Sequence, residues 1–495
     1  MKYISTRGEY QGRLSAAEAI LHGLADDGGL FMPEELPMLE RSDFDALSGM
    51  DYAERAAYII GKFLTDYTYD ELLSDARAAY SEEKFGSSPA PVKNVDGKIY
   101  SLELWHGPTS AFKDMALQIM PRLFVRAAKK AGEQRDALIL VATSGDTGKA
   151  ALEGYRDVSG TKIQVFYPTD GVSKIQKLQM QTQEGGNVSV VGIRGNFDDA
   201  QSGVKNIFAS TAVREALGKR GTYLSSANSI NWGRLVPQVV YYVSAYLDTV
   251  NSGDIVFGEV IDVCVPTGNF GNIFAAYIAK RMGLPIGKLI AASNINNVLT
   301  EFIESGHYNK NREFHQTVSP SMDILISSNV ERLLYLIAGK DKTREYMRQL
   351  YECGEYTLSP SELAALRESF VGIYTDESET LATIKRTFEE KNYLIDTHTA
   401  VAMCAAEKYM DIHKAERKVL VVSTASAYKF ARDVYTALTG SADADSIEAL
   451  GMLSALTGTE IPTPLKLVLS RSPIHSDVIE GCDMTDTVFR FLSDQ

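Results

Sequence analysis

The spacing of apolar residues changes character near residue 90. Before it, DYAERAAYIIGKFL (51–64) and DELLSDARAAY (70–80) set apolar side chains three and four residues apart, the period of an amphipathic helix. Residues 1–92 are therefore expected to form a mainly helical domain. The stretch SSPAPV, ending at Val92, marks its boundary. Beyond it, short continuous apolar runs alternate with helical patterns. DALILVATSG, KIQVFYPTDG, NVSVVGIRG, IDVCVPTGNFG and KVLVVSTASAYKF read as strands running into turns. KAALEGY, SKIQKLQMQTQEG, DDAQSGVKNIFASTAVREAL and NIFAAYIAKRMG read as helices. Strands that are apolar on both faces and alternate with helices predict an α/β core whose parallel sheet is covered on both sides. The core is expected over 93–440, with a helix-rich insertion at about 296–395. A C-terminal segment, 441–495, is expected to pack on it.

Composition leaves that picture intact. The chain has 495 residues, 45% apolar and 23% charged, enough to bury a sizeable core. Its net charge of −14 argues against a nucleic-acid partner, which would need a basic surface. The same charge means that a site for an anionic substrate must supply local positive potential. Cys264, Cys353, Cys404 and Cys482 make no C-x-x-C pair, and such sparse thiols predict a reduced, cytoplasmic setting. Neither a signal peptide nor a membrane span is expected, because no apolar leader opens the chain and no uncharged apolar run reaches about 18 residues. The acidic and histidine residues show no metal-ligand spacing, so no metal is expected.

Ligands of parallel sheets lie beyond the carboxyl ends of the strands. Three loops hold that position: SGDTG (Ser144 to Gly148), TGNFGN (Thr267 to Asn272) and STASAYKF (Ser423 to Phe430). In TGNFGN, glycines let the backbone approach a ligand, and amides at a helix start suit a phosphate. A tight turn with packing glycines explains the same letters equally well. SGDTG adds the hydroxyls of Ser144 and Thr147 and suits a carboxylate or a second phosphate. It is no P-loop, since Thr143 stands where the first glycine is required and Ala150 follows Lys149. No G-x-G-x-x-G accompanies these loops, which removes the main support for a nucleotide. Asn231-Trp232-Gly233-Arg234 opens another helix and places Arg234 beside positive backbone potential, although a lone arginine is ordinarily a surface residue.

HGPTSAFKDMAL (106–117) poses a conflict. Thr109 or Ser110 reads as a helix N-cap, which puts Lys113 in the first turn, where the dipole disfavours a cation. Taken alone, an exposed lysine pairing with Asp114 is the ordinary explanation. Yet a positive helix end and apolar neighbours, here Phe112 and Met115, lower a lysine's pKa, as an imine-forming lysine requires. With a cradle for a phosphate and a loop for a carboxylate, such a lysine fits pyridoxal phosphate chemistry on an amino acid. Thr424 or Ser423, at a strand end, is placed to hydrogen-bond the cofactor's ring nitrogen. A neutral partner there suits elimination and replacement more than transamination.

HGPTSAFKDMAL resembles the lysine segment of threonine synthases, whose pattern is HGPT-x-AFKD. ATSGDTG, VPTGNFGN, NSINWGR, the opening KYISTRG and DDGGLFMPEELP resemble the same family, so the likeness runs from the N-terminus past residue 430. One stretch departs from it, STASAYKF standing where relatives read STAHPAKF. Cysteine synthases and serine/threonine dehydratases carry SGN where this chain has Ser144-Gly145-Asp146.

The resemblance implies fold type II, the tryptophan-synthase-β arrangement, with the N-terminal region of the bacterial and fungal branch. It implies conversion of O-phospho-L-homoserine and water to L-threonine and phosphate, with pyridoxal 5'-phosphate bonded to a catalytic Lys113. The cofactor is then expected to contact Gly268, Asn269, Phe270, Gly271, Asn272 and Thr424. The substrate carboxylate is expected at Ser144, Gly145, Asp146 and Thr147, and its phosphate at Arg234, with Asn231 and Lys149. A phospholyase that eliminates phosphate to give a 2-oxo acid would share all these loops. A non-catalytic binding protein would not need the lysine. A monomer or homodimer is expected. His106, His398 in DTHTA and Ser319 to Asp323 (SPSMD) follow family-like patterns without an assigned role.

Overall fold

The computed structural model describes residues 1–143, 145–170, 172–442 and 445–493. Two sheets carry the core. The larger runs in the order Phe370–Tyr374, Ile286–Ser293, Ile261–Pro266, Val419–Ser423, Ile99–Glu103 and Val92–Asn94. Its neighbours are parallel except for the last, an antiparallel edge. The smaller is parallel throughout, in the order Val478–Ile479, Val188–Ile193, Thr161–Pro168, Asp136–Ala142 and Thr222–Ser225. Ile261–Pro266 and Val419–Ser423 are buried along their whole length, as continuous apolar runs must be when helices cover both faces.

The stretch 296–395 is helix-rich, with helices Val298–Ser305, Val330–Glu352, Pro360–Ser369 and Glu377–Lys391. It is more than an insertion, because Phe370–Tyr374 pairs with Ile286–Ser293 and forms the edge of the larger sheet. That strand is five residues long and sits between helical patterns, where periodicity carries little signal. Past residue 441, Val478–Ile479 extends the smaller sheet, and the helix Met484–Ser493 buries Met484 and Val488.

The first 92 residues form helices Ala16–His22, Arg41–Ser48, Tyr52–Phe63, Tyr69–Ala79 and Glu82–Phe85, with an antiparallel pair, Tyr3–Ser5 and Phe31–Pro33. Capping boxes at Ser15/Glu18, Asp51/Glu54 and Thr68/Glu71 satisfy amides that would otherwise lack partners at these helix starts. The region docks on the helix Trp232–Asn251. Trp232 is fully buried, with Tyr3 and Phe63 edge-on at 5.6 and 5.7 Å. Arg55 donates to Ser244 Oγ at 2.7 Å and to Asp248 at 2.6 Å. This docking fixes the helix whose first turn carries Arg234.

Candidate active site

Val419–Ser423 lies between Ile261–Pro266 and Ile99–Glu103, in parallel with both. The loops that follow these three strands therefore open on one edge of the larger sheet. SGDTG arrives from the smaller sheet and meets them at Asp146.

The helix after Lys113 begins three or four residues later than the capping pattern suggests. It spans Asp114–Leu117, and Lys113 itself holds the N-cap position. Thr109 and Ser110, expected as caps, lie in a turn where Ser110 has φ 58°. Thr109 instead donates its amide and its hydroxyl to Asp114, each at 2.8 Å. Asp114 is fully buried, and burial pushes its carboxyl up to about 7 against the pull of those two bonds. Asp114 thus answers Thr109 rather than Lys113. Lys113 Nζ lies 3.8 Å from Asp146 Oδ2 and 3.4 Å from Ser321 Oγ, its side chain 13% exposed. Burial lowers its pKa; Asp146 opposes the change, and Lys429 and Arg234 reinforce it. The segment is laced to STASAYKF: Phe112 N–H donates to the Thr424 carbonyl at 2.8 Å, Ser426 N–H to Ser110 at 3.1 Å and Lys429 Nζ to Thr109 at 3.0 Å. Backbone bonds hold this loop in shape where its sequence departs from the family pattern.

Asp146 is the electrostatic hub. Its Oδ1 receives Lys429 Nζ at 2.7 Å and Gln176 Nε2 at 2.8 Å, and the Lys429 side chain is wholly buried. Burial alone would raise the Asp146 carboxyl, but Lys429 and Lys113 outweigh it and hold it well below the usual range. The expected substrate-carboxylate role is corrected for this side chain, since an ionised carboxylate repels another. The backbone differs: the amides of Asp146 and Thr147 meet no acceptor among the described residues, whereas that of Gly145 donates to Thr143 Oγ1 at 3.0 Å. Ser144 lies outside the described residues.

TGNFGN is a row of donors. The Gly268 carbonyl accepts from Ser327 Oγ at 2.7 Å, and that of Asn269 from Asn329 N at 3.1 Å and Nδ2 at 2.9 Å. With the carbonyls held behind, the amides of Gly268, Asn269, Phe270, Gly271 and Asn272 meet no acceptor among the described residues. Phe270 takes the left-handed conformation, φ 61°, to start the helix Gly271–Arg281. A Cβ on Gly268 would lie 2.5 Å from the Ser321 carbonyl oxygen, so only glycine fits. Asn272 Oδ1 accepts the Tyr241 and Tyr242 hydroxyls at 2.5 and 2.6 Å, while its Nδ2 is buried without an acceptor. Such a donor set fits the phosphate of pyridoxal phosphate. Ser423 Oγ is occupied by Trp105 Nε1 and Thr399 Oγ1, both at 3.0 Å, so of the two strand-end hydroxyls Ser423 is the one already committed.

The three residues expected at the substrate phosphate separate. Arg234 is 4% exposed; its Nη1 donates to the Ala227 carbonyl at 2.5 Å and its Nε is buried without a partner. Asn231 is a cap, its Oδ1 accepting Gly233 N–H at 2.8 Å and its Nδ2 donating to Ile20 at 2.9 Å. Lys149 is paired with Glu153 at 3.0 Å and with Gln183. The expectation for Asn231 and Lys149 is corrected accordingly, since both are committed to structural partners. His106 pairs with Glu103 at 2.8 Å and stacks on Trp105. Lys429 and Ser321 were missed as site residues, and the available signal was their place in a strand-end loop and in an unassigned motif.

Residues 2–80 match the family described as Threonine synthase N terminus, and residues 87–425 match Pyridoxal-phosphate dependent enzyme. The threonine synthase of Pseudomonas aeruginosa is 36% identical over 450 residues, covering 90% of this chain and 92% of its own. The chain belongs to the threonine synthase family. Through residues 87–425 it also belongs to the pyridoxal-phosphate dependent enzymes. The crystal structure of PLP-bound threonine synthase from Brucella melitensis matches with a TM-score of 0.87 at 37% identity, over 100% of this chain and 99% of that one. Human threonine synthase-like 1 is 42% identical over 455 residues, 88% of this chain, and the chain spans 60% of that protein's length. Among the described residues no helix is long and apolar enough to cross a membrane.

Proposed function

We propose that this threonine synthase family member converts O-phospho-L-homoserine and water to L-threonine and phosphate. The observation that carries the reading is Arg234, a buried guanidinium with no carboxylate paired to it among the described residues, near enough to Lys113 to depress its pKa. A buried cation without a counter-ion is costly, and a substrate phosphate would supply one. It would also draw the anion in against the net charge of −14.

Bound pyridoxal phosphate supplies the electron sink that lets protons leave carbons near the amino group. The rest falls to the chain. The amides of Gly268 to Asn272 hold the cofactor phosphate, and Thr424 offers its hydroxyl to the ring nitrogen. The amides of Asp146 and Thr147 take the substrate carboxylate. Lys113, its pKa lowered by burial, takes a proton from Cα and hands it to the substrate phosphate before it takes the next from Cβ. Hydrogen phosphate then leaves Cγ toward Arg234. The amine delivers the Cβ proton to Cγ; water adds its hydroxyl at Cβ, and the proton water releases returns through the amine to Cα. A flexible four-carbon stem lets one amine serve these atoms in turn. Four free thiols, two of them buried, suit a reducing cytoplasm.

Incubation with O-phospho-L-homoserine should release phosphate and L-threonine in equal amounts. A 2-oxo acid and ammonia in place of threonine would identify a phospholyase instead. Borohydride should fix the cofactor on the peptide that contains Lys113, and label on another lysine would reject that assignment.

A further inference from the structure

Two motifs without a role in the proposed reaction, DTHTA and SPSMD, meet beside Lys113. Asp396 is fully buried at the N-cap of the helix Thr397–His413. Its carboxylate accepts His398 N–H at 2.9 Å and Thr399 N–H at 3.0 Å, and His398 Nδ1 lies 2.8 Å from its Oδ2. An ionised carboxylate only accepts, so Nδ1 carries the proton and Nε2 is left as an acceptor. Nε2 uses that capacity on the backbone N–H of Ser321, at 3.1 Å. Ser321 sits in the single turn Pro320–Met322, whose other end is fastened by Asp323 to Asn294 at 2.7 Å and to Thr317 N–H at 2.9 Å. Its hydroxyl is the one that Lys113 Nζ reaches at 3.4 Å, and its carbonyl is the one that excludes a side chain at position 268.

We propose that Asp396 and His398 hold Ser321 in register with Lys113, and that the Ser321 hydroxyl is the partner to which the free amine returns between proton transfers. Ser321 touches the reacting nitrogen and is a catalytic residue in that sense; His398 and Asp396 act through it as positioning residues. The alternative anchor for the amine, Asp146, lies farther away and is already committed to Lys429 and Gln176. The proposal rests on Lys113 being the anchoring lysine, which the borohydride label settles separately.

The test compares Ser321→Ala, His398→Leu and His398→Gln in the holoenzyme. Glutamine can offer its amide oxygen to the Ser321 N–H, whereas leucine cannot. Losing one hydrogen bond to a charged group slows the reaction roughly tenfold, so Ser321→Ala and His398→Leu should each lower kcat for phosphate release by about that factor. KM and cofactor affinity should hold within about twofold, because the bond serves the amine rather than ligand binding. His398→Gln should recover most of the rate. A second readout needs no substrate: competitive acylation of the cofactor-stripped chain, scored on the Lys113 peptide across pH. A hydroxyl oxygen that accepts from the ammonium favours the charged form, so Ser321→Ala should move this titration to lower pH. An unmoved titration in Ser321→Ala, or His398→Gln as slow as His398→Leu, overturns the proposal. So does a loss of melting temperature with kcat intact. If His398→Leu fails to fold, Ser321→Ala and His398→Gln still decide. If the parent releases no phosphate, the substrate reading fails while the acylation arm stands.

Discussion

TGNFGN and SGDTG resemble each other as text. Each runs from a buried strand into a helix, with a glycine turn between. Their surroundings make them opposites. In TGNFGN the carbonyls are held by Ser327 and Asn329 and the amides are left open, so the loop offers donors alone. In SGDTG one side chain, Asp146, brings a full negative charge to the helix start, where it is balanced by Lys429 and Lys113. One loop presents its donors with no charge of its own. The other sets an ionised side chain beside its open amides, 3.8 Å from the Lys113 amine. A glycine turn before a helix therefore says where backbone donors gather, and the side chains around it say whether they remain available.

The comparison breaks most sharply at Asp146. Asp146→Asn keeps the shape and removes the charge, leaving the buried Lys429 ammonium without a counter-ion, which costs about 3–5 kcal/mol. Urea denaturation should show that loss. Asp146→Asn combined with Lys429→Met should regain most of it, since replacing a buried pair as a whole is nearly neutral. A single variant as stable as the parent would remove Asp146 from the centre of the site.

Asp114 offers the reverse case, a buried aspartate with no cation paired to it among the described residues. Its carboxyl is pushed up to about 7 by burial, whereas an unfolded chain releases that proton near the ordinary value of 3.8. Between these values the folded chain binds the proton that the unfolded chain has lost, so stability falls as pH rises from about 4 to 7. The gap corresponds to at most about 4 kcal/mol. Asp114→Asn should flatten this part of the stability profile. Asp146 has the opposite sign: its stabilisation is present above the unfolded carboxylate pKa and is lost only as pH falls through its lower folded value. A parent and an Asp114→Asn variant with parallel profiles over pH 4–7 would show that Asp114 stays ionised.

Gly268→Ala probes the donor loop itself. The new Cβ would meet the Ser321 carbonyl at 2.5 Å, and backbone cannot give way as a flexible side chain does. Overpacking of this kind costs about 1–3 kcal/mol, so cofactor affinity should fall roughly 10- to 100-fold. Equilibrium dialysis of pyridoxal phosphate reads this directly. An unchanged affinity would mean that the phosphate sits elsewhere.

These contrasts also show what the sequence could and could not disclose. The strands, the three loops and Lys113 were legible because each rests on local rules: apolar runs, glycine turns, a lysine at the wrong end of a helix. The hub was not, because its contacts join distant positions. Lys429 and Thr109 are 320 residues apart, and Lys113 and Ser321 are 208 apart. No local spacing encodes such pairs. The edge strand Phe370–Tyr374 escaped for a related reason, since only its partner Ile286–Ser293 makes it a strand. Asn231 is a different failure. Asparagine before a helix is a preferred N-cap, and that signal was present in the letters.

Asn231 and Arg234 sharpen the comparison at its smallest scale. They share the first turn of one helix and were both expected to meet the substrate phosphate. The structure gives Asn231 two backbone partners, Gly233 and Ile20, and leaves Arg234 with an unpartnered Nε. Arg234→Ala should therefore raise KM for O-phospho-L-homoserine about tenfold or more while sparing cofactor affinity, as loss of a charge-assisted bond to the ligand requires. Asn231→Ala should do the converse. Removing the cap costs about 1 kcal/mol, read as a lower urea midpoint, and KM should stay near the parent value because no ligand contact is lost. Asn231→Ser, which restores a capping oxygen but not the tie to Ile20, should recover part of that stability. A KM that rises with Asn231→Ala and is restored by neither temperature nor saturating cofactor would place this side chain back at the phosphate. The helix start would then be a second donor site like TGNFGN rather than a scaffold that aims one arginine.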